Sequence, residues 1–218
     1  MTSKRRSRTW WQRHASDAFV RRARTEGYRS RAAYKLIELD ERFGLFRPGM
    51  TVVDLGAAPG GWAQYVRRQV GTRGHVLAQD LLPMEPLSGV EFIHGDIGDP
   101  TVLDLVIERL SGRAVDLVIS DIAPNISGDR VSDQMRAIGL GGKALALAVA
   151  TLKPGGGLLL KTFQGEGFSD LRQALQQHFD KVLTCKPRAS HARSREIYLF
   201  GKDFQDRGEQ LATQGNRL

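Results

Sequence analysis

Residues Val52 to Val66, VVDLGAAPGGWAQYV, close an apolar run that begins at Met50 with a loop holding Gly56, Gly60 and Gly61, and a helical pattern follows. Strand, glycine-rich turn and helix is how an α/β protein brings main chain close to a nucleotide-like ligand at the carboxyl end of a strand. The spacing is G-x-x-x-G-G and not the G-x-G-x-x-G of dinucleotide sites. Pro59 also withholds an N–H that a phosphate cradle would use. A ligand with adenosine and no pyrophosphate fits better, which makes S-adenosylmethionine the candidate.

On either side of this stretch the chain alternates helix and strand patterns. Residues 30–43 carry the stripe Ala32, Leu36, Leu39, Phe43 of a helix, and Pro48-Gly49 breaks the chain before a first strand at 50–56. Helices are expected at 61–70, 100–111, 132–152 and 167–178. Further strands are expected at 75–80, 90–96, 115–121 and 156–163. Two final strands, 181–186 and 196–201, have no helix-length segment between them and read as an antiparallel pair. The pattern predicts an α/β, doubly wound, Rossmann-like fold. Its seven-stranded, mostly parallel sheet would carry one antiparallel strand at one end.

At 218 residues the chain suits one substantial core. No apolar run approaches membrane-spanning length, and the N-terminus lacks a signal-peptide core. The single cysteine, Cys185, leaves no disulfide framework and no cysteine-based zinc cluster, and the five histidines lack ligand spacing. These features predict a cytoplasmic protein without a membrane partner or a structural metal. The charge is uneven: residues 1–31 hold ten of the 32 basic residues and two of the 24 acids, so the formal net charge of +8 sits entirely there. Residues 1–29 therefore read as a basic arm suited to a polyanion, RNA-binding through arginines for phosphates and Trp10, Trp11, Phe19 and Tyr28 for stacking or docking; the alternative is a solvated tail. A single α/β domain over 30–202, the methyltransferase domain if S-adenosylmethionine is its ligand, and a polar tail over 203–218 follow. A second basic cluster, Lys186 to Arg195, joins the last two strands.

Ligands of a doubly wound sheet sit beyond the carboxyl ends of its strands. Asp80, Asp96 and Asp121 end the second, third and fourth expected strands, and Lys161 lies toward the end of the fifth. Asp80, twenty residues after Gly60, stands where a carboxylate meets ribose hydroxyls, and Asp96 is placed to accept from an adenine amino group, with a turn carboxylate ahead of Ile97-Gly98-Asp99-Pro100 as the alternative.

The motifs SDAFVRRARTEGYRSRAAYKL, PGMTVVDLGAAPGGW, DLLPM, SDIAPNISG, LKPGGGLLLKTFQGEGF and ARSREIYLFG occur in this order over almost the whole chain. Together they resemble the RrmJ/FtsJ (RlmE) family of ribosomal RNA ribose methyltransferases. The resemblance implies S-adenosylmethionine as cofactor and 2′-O-methylation of a uridine in the A-loop of 23S rRNA, within the large ribosomal subunit, by a monomer. Carried onto this chain it implies cofactor contacts at Gly60, Trp62, Asp80, Asp96 and Asp121. It also implies a catalytic tetrad of Lys35, Asp121, Lys161 and Glu196, with Lys161 as proton acceptor.

A ribose 2′-hydroxyl must lose its proton as it attacks a sulfonium methyl group, so the chemistry asks for alignment and a proton acceptor. Whether Lys161 is a true base or only orients the hydroxyl stays open on the sequence. Two other classes compete. A nicotinamide-dependent oxidoreductase would share the fold but want a pyrophosphate loop. An RNA-binding factor with a relic pocket would keep the basic arm and dispense with the lysines.

Overall fold

The computed structural model describes residues 18–125, 127–190 and 194–206. Trp10, Trp11 and the other arm residues before Ala18, His191 and Arg193 of the second basic cluster, and the tail beyond Asp206 lie outside the described residues. Strand β1 (Thr51–Leu55) is buried from Val52 onward, as a parallel strand covered on both faces must be. β2 (His75–Asp80) and β4 (Val115–Ser120) flank it, both parallel. With β3 (Glu91–His94), β5 (Leu152–Phe163), β6 (Phe179–Cys185) and β7 (Glu196–Phe204) they form a seven-stranded sheet of order β3-β2-β1-β4-β5-β7-β6. Among the described residues β7 alone runs against its neighbours.

That strand corrects one expectation: it lies inside the sheet, between β5 and β6, and not at the end. Residues Ile197 to Gly201 of β7 are buried without interruption, whereas β6 keeps only its first and last residues buried. A strand apolar on both faces must be covered by two neighbours, and the polar strand takes the edge. β5 also begins earlier than expected. Leu152 pairs with Val115, the register then shifts, and the Lys153-Pro154-Gly155 break is absorbed within the strand.

The helices form two layers. α2 (Ala33–Phe43) and α3 (Gly61–Val70) cover one face, burying Leu36, Leu39, Trp62, Val66 and Val70 against Val52, Val76 and Ile119. α4 (Pro100–Leu110), α5 (Arg130–Thr151) and α6 (Phe168–His178) cover the other, where Val53, Leu55 and Val118 meet Val106, Leu147 and Leu175. Local chemistry sets the helix starts. Asp99 caps α4 ahead of Pro100, and Asp129 caps α5 by accepting from the Val131 and Ser132 amides. A short helix, α1 (residues 18–25), packs on α2 through buried Ala23 and a Phe19–Tyr34 ring contact at 5.4 Å. Among the described residues no helix is long and apolar enough to cross a membrane.

Candidate active site

The strand order reverses between β1 and β4, so the loops leaving their carboxyl ends part and open a crevice. A cavity of about 740 Å³ lies there, lined among others by Gly56, Asp80, Asp96, Asp121, Asn125 and Lys143. The sequence decides this loop locally. Gly56 has φ +76°, and a β-carbon on it would meet Ile122 Cγ1 at 2.7 Å, so only glycine lets the loops after β1 and β4 pass each other. Gly60, at φ +105°, turns the chain into α3.

The acids converge as the strand ends suggest. Asp80 accepts the Ala58 amide on Oδ2 at 2.8 Å and the Leu82 amide on Oδ1 at 2.7 Å, leaving a lone pair on each oxygen for a ligand hydroxyl. Asp96 does not end β3 as expected: the strand stops at His94 and Asp96 belongs to the turn that follows, its Oδ1 accepting the Gly98 amide at 2.7 Å. Gly95 interrupts the side-chain alternation, and the turn swings the carboxylate to the cavity wall. Asp54, which the sequence reading passed over, sits fully buried in β1 with neither carboxylate oxygen hydrogen-bonded. Burial, reinforced by the charges of Asp121 and Asp80, pushes its carboxyl well above the ordinary carboxylate range.

Two ion pairs follow, the first of them on Asp121 of the cavity wall. Lys161 Nζ contacts Asp121 Oδ1 at 2.9 Å and also donates to the Asp121 main-chain oxygen. Lys35 Nζ lies 2.7 Å from Glu196 Oε1 and 2.9 Å from Oε2. The four residues come from α2, the segment after β4, β5 and β7, so only the folded sheet assembles them. Lys161 pairs in register with Tyr198, and Glu196 precedes Tyr198 by two residues on the same face of β7. The Tyr198 hydroxyl donates to Asp121 Oδ1 at 2.7 Å. Burial, then the charges of Asp121 and Glu196, raises this phenol well above its usual range, which places it within the field of both carboxylates. Tyr198 is a site residue that the sequence reading missed. The signal was the period of two that links it to Glu196.

Gly60 and Trp62 stand apart from the cavity lining. The Trp62 indole is buried in the core between α2 and the sheet, its N–H donating to the Ala32 carbonyl at 2.8 Å and its ring 5.9 Å from that of Tyr198. Arg29 was missed as well. Its guanidinium donates to the main-chain oxygens of Pro59 (3.3 Å), Glu85 (2.6 Å) and Pro86 (2.7 Å), tying the segment before α2 to the glycine-rich loop.

Acids from successive strand ends meeting in one switch-point cavity mark an α/β protein built around a nucleoside-type ligand. Comparison with known proteins supplies the chemistry. A family model for FtsJ-like methyltransferases matches residues 28–204. The chain belongs to that family, whose members are S-adenosylmethionine-dependent. Ribosomal RNA large subunit methyltransferase E of Alkalilimnicola ehrlichii is 56% identical over 198 residues, covering 91% of this chain and 95% of that protein. The protein of the same name in an Azoarcus species is 52% identical, covering 94% of this chain and 100% of its own length. Among solved structures, a Plasmodium falciparum protein assigned as a ribosomal RNA methyltransferase superposes with a TM-score of 0.74 at 31% identity, over 81% of this chain and 98% of that one.

Proposed function

We propose that this chain methylates the ribose 2′-hydroxyl of a uridine in the A-loop of 23S rRNA, within the large ribosomal subunit. It would act as a cytoplasmic monomer and contribute to ribosome maturation. One observation carries the reading: Lys161 is buried and paired with Asp121 of the cavity wall, and it lies in register with Tyr198, two residues along β7 from the Glu196 that holds Lys35. The cavity's donor set suits S-adenosylmethionine, because its carboxylates accept from ribose hydroxyls and an adenine amine and offset a sulfonium charge. When bound, this cofactor supplies a methyl group activated by its sulfonium.

The residues then divide the work. Asp80 accepts the ribose hydroxyls and Asp96 the adenine amine. Gly60 and Trp62 would contribute through main chain, since the indole is committed to the core. With the methyl group passing to the 2′-oxygen and the cofactor's thioether leaving, Lys161 would take the hydroxyl proton as its neutral amine, and Asp121 would aim that amine. Lys35, held by Glu196, orients the ribose. Residues 1–29 act as a basic arm on the RNA, 30–202 as the catalytic domain and 203–218 as a polar tail. Within the arm, the part from Ala18 onward lies against α2, so its phosphate contacts would start from a docked base.

Mapping ribose methylation on rRNA from cells with and without the protein tests the reading. A single A-loop uridine losing its methyl group is expected, and an unchanged map would sink it. Removal of residues 1–17, which carry five basic residues and one acid, should lower the slope of log affinity against log salt by about two to four.

A further inference from the structure

We infer that Glu38 and Ser190 are positioning residues for the Lys35–Glu196 pair, an inference that rests on the active-site reading above. Lys35 and Glu38 are three residues apart on α2 and so share a helix face. Both reach the connection between β6 and β7. The Glu38 carboxylate accepts the Arg188 amide at 2.9 Å on Oε1 and 2.7 Å on Oε2, and the Ala189 amide at 3.3 Å. Arg31 donates to the Ala189 carbonyl at 2.9 Å. The main chain of Ala189 is thus held from the α2 side at both its N–H and its C=O. Ala189 and Ser190 are buried although they belong to a surface connection.

The connection then passes this constraint back to the site. Ser190 Oγ donates at 2.7 Å to Glu196 Oε1, the same oxygen that meets Lys35. The Glu196 amide donates to Ser194 Oγ at 3.0 Å. The contacts close a ring: α2 through Glu38 to the connection, through Ser190 to Glu196, and through Lys35 to α2 again. An exposed lysine–glutamate pair would sample many geometries and hold none firmly. Here one carboxylate is pinned by a hydroxyl and the other by consecutive amides, so the Lys35 ammonium is presented in one place. The same anchor sets the base of the segment that carries Lys186, Arg188 and Arg195. RNA seated on that segment and the lysine that meets its ribose are therefore held by one device.

Three variants of the full chain, assayed on unmethylated large-subunit particles at saturating S-adenosylmethionine, test this. Loss of a hydrogen bond to a charged group should lower kcat in Ser190→Ala by about tenfold, with the KM for particles within about twofold. Glu38→Ala should lower kcat comparably and also raise that KM, because the whole connection loosens. Glu38→Gln should restore most of both, since its amide oxygen still accepts an N–H. Cofactor affinity by calorimetry should not change in any of them. Wild-type kcat and KM in both Ser190→Ala and Glu38→Ala would overturn the inference, as would a fall in melting temperature alone. A loss confined to Ser190→Ala would overturn the part assigned to Glu38. If Glu38→Ala does not fold, Ser190→Ala decides the matter, and wild-type kcat there overturns the inference. Lys161→Ala separates the two levels: full activity there overturns the active-site reading and takes this inference with it, whereas its loss beside unaffected Ser190 and Glu38 variants overturns this inference alone.

Discussion

The two halves of the site are built on opposite plans. Around the cavity, Asp80 and Asp96 are held by main-chain amides and keep lone pairs directed to a ligand. Across Asp121, the charges answer one another: Lys161 with Asp121, Lys35 with Glu196, and the Tyr198 hydroxyl on Asp121. The difference follows from what each half must do. A cationic small molecule brings its own compensating charge to an open acidic pocket. A buried lysine that takes a proton from a neutral hydroxyl gains a charge for which the ligand brings no partner, and an uncompensated buried charge is costly. Its counter-ions must therefore come from the protein, and they also fix its geometry.

Substitutions that separate the halves test this contrast. The largest effect is expected for Lys161→Ala, which should cut single-turnover methyl transfer by about a hundredfold or more while cofactor affinity stays within a few-fold. Retention of more than about a tenth of the rate would remove Lys161 as the proton acceptor. Asp80→Ala should do the converse. It should weaken S-adenosylmethionine binding about tenfold or more by calorimetry, with the rate recovering at saturating cofactor. Part of that loss comes from the Ala58 and Leu82 amides that the carboxylate holds, so Asp80→Asn, which keeps an acceptor, should lose less. Equal affinity in Asp80→Ala and wild type would erase the distinction between the halves.

Tyr198→Phe sharpens the comparison at the boundary. The ring keeps its place against Trp62, but Asp121 loses one of its two partners at Oδ1. A destabilisation of about 1 kcal/mol and a rate loss of several-fold are expected, with little change in cofactor affinity. Denaturant melts and single-turnover rates read the two separately. A cofactor defect larger than the rate defect would mean that Asp121 belongs to the cavity alone.

The smallest effect concerns the base of the arm. Burial pushes the Tyr34 phenol up to about 12, and an unfolded tyrosine titrates near 10. The folded state thus favours the neutral phenol. This contribution is fully present below about pH 10 and is lost as pH rises through 12. Alkaline titration should loosen α1 from α2, seen as faster amide exchange in residues 18–25. Tyr34→Phe should flatten that dependence, and an unchanged profile in the variant would show that another group controls it.

Much of the cavity half was legible because it is local. A glycine-rich turn, an apolar strand and an acid at the strand's end are properties of neighbouring residues, and their spacing puts Gly56, Asp80 and Asp121 at the strand ends, where the fold places them on the cavity wall. Asp96 lines the cavity from the turn after β3 and not from the strand end, since the strand stops at His94; the turn alternative is open in the Ile97-Gly98-Asp99-Pro100 that follows it. The other half is non-local. Lys35 meets Glu196 across 161 positions and Lys161 meets Asp121 across 40, so only resemblance to known proteins could group them in advance. Tyr198 was not singled out in the sequence, because its hydroxyl finds Asp121 only in the fold, just as the Trp62 indole finds the Ala32 carbonyl and the core only there. Glu38 and Ser190 carried no signal at all, since a carboxylate facing two amides looks the same in sequence as a solvated one. Sequence by itself determined the alternation of elements, the glycine-rich turn and the acids that follow the strands, because these depend on periodicity and on the backbone freedom of glycine. The tertiary structure alone decided which strand lies at the sheet's edge and which charges meet, because both depend on how burial is shared between distant segments.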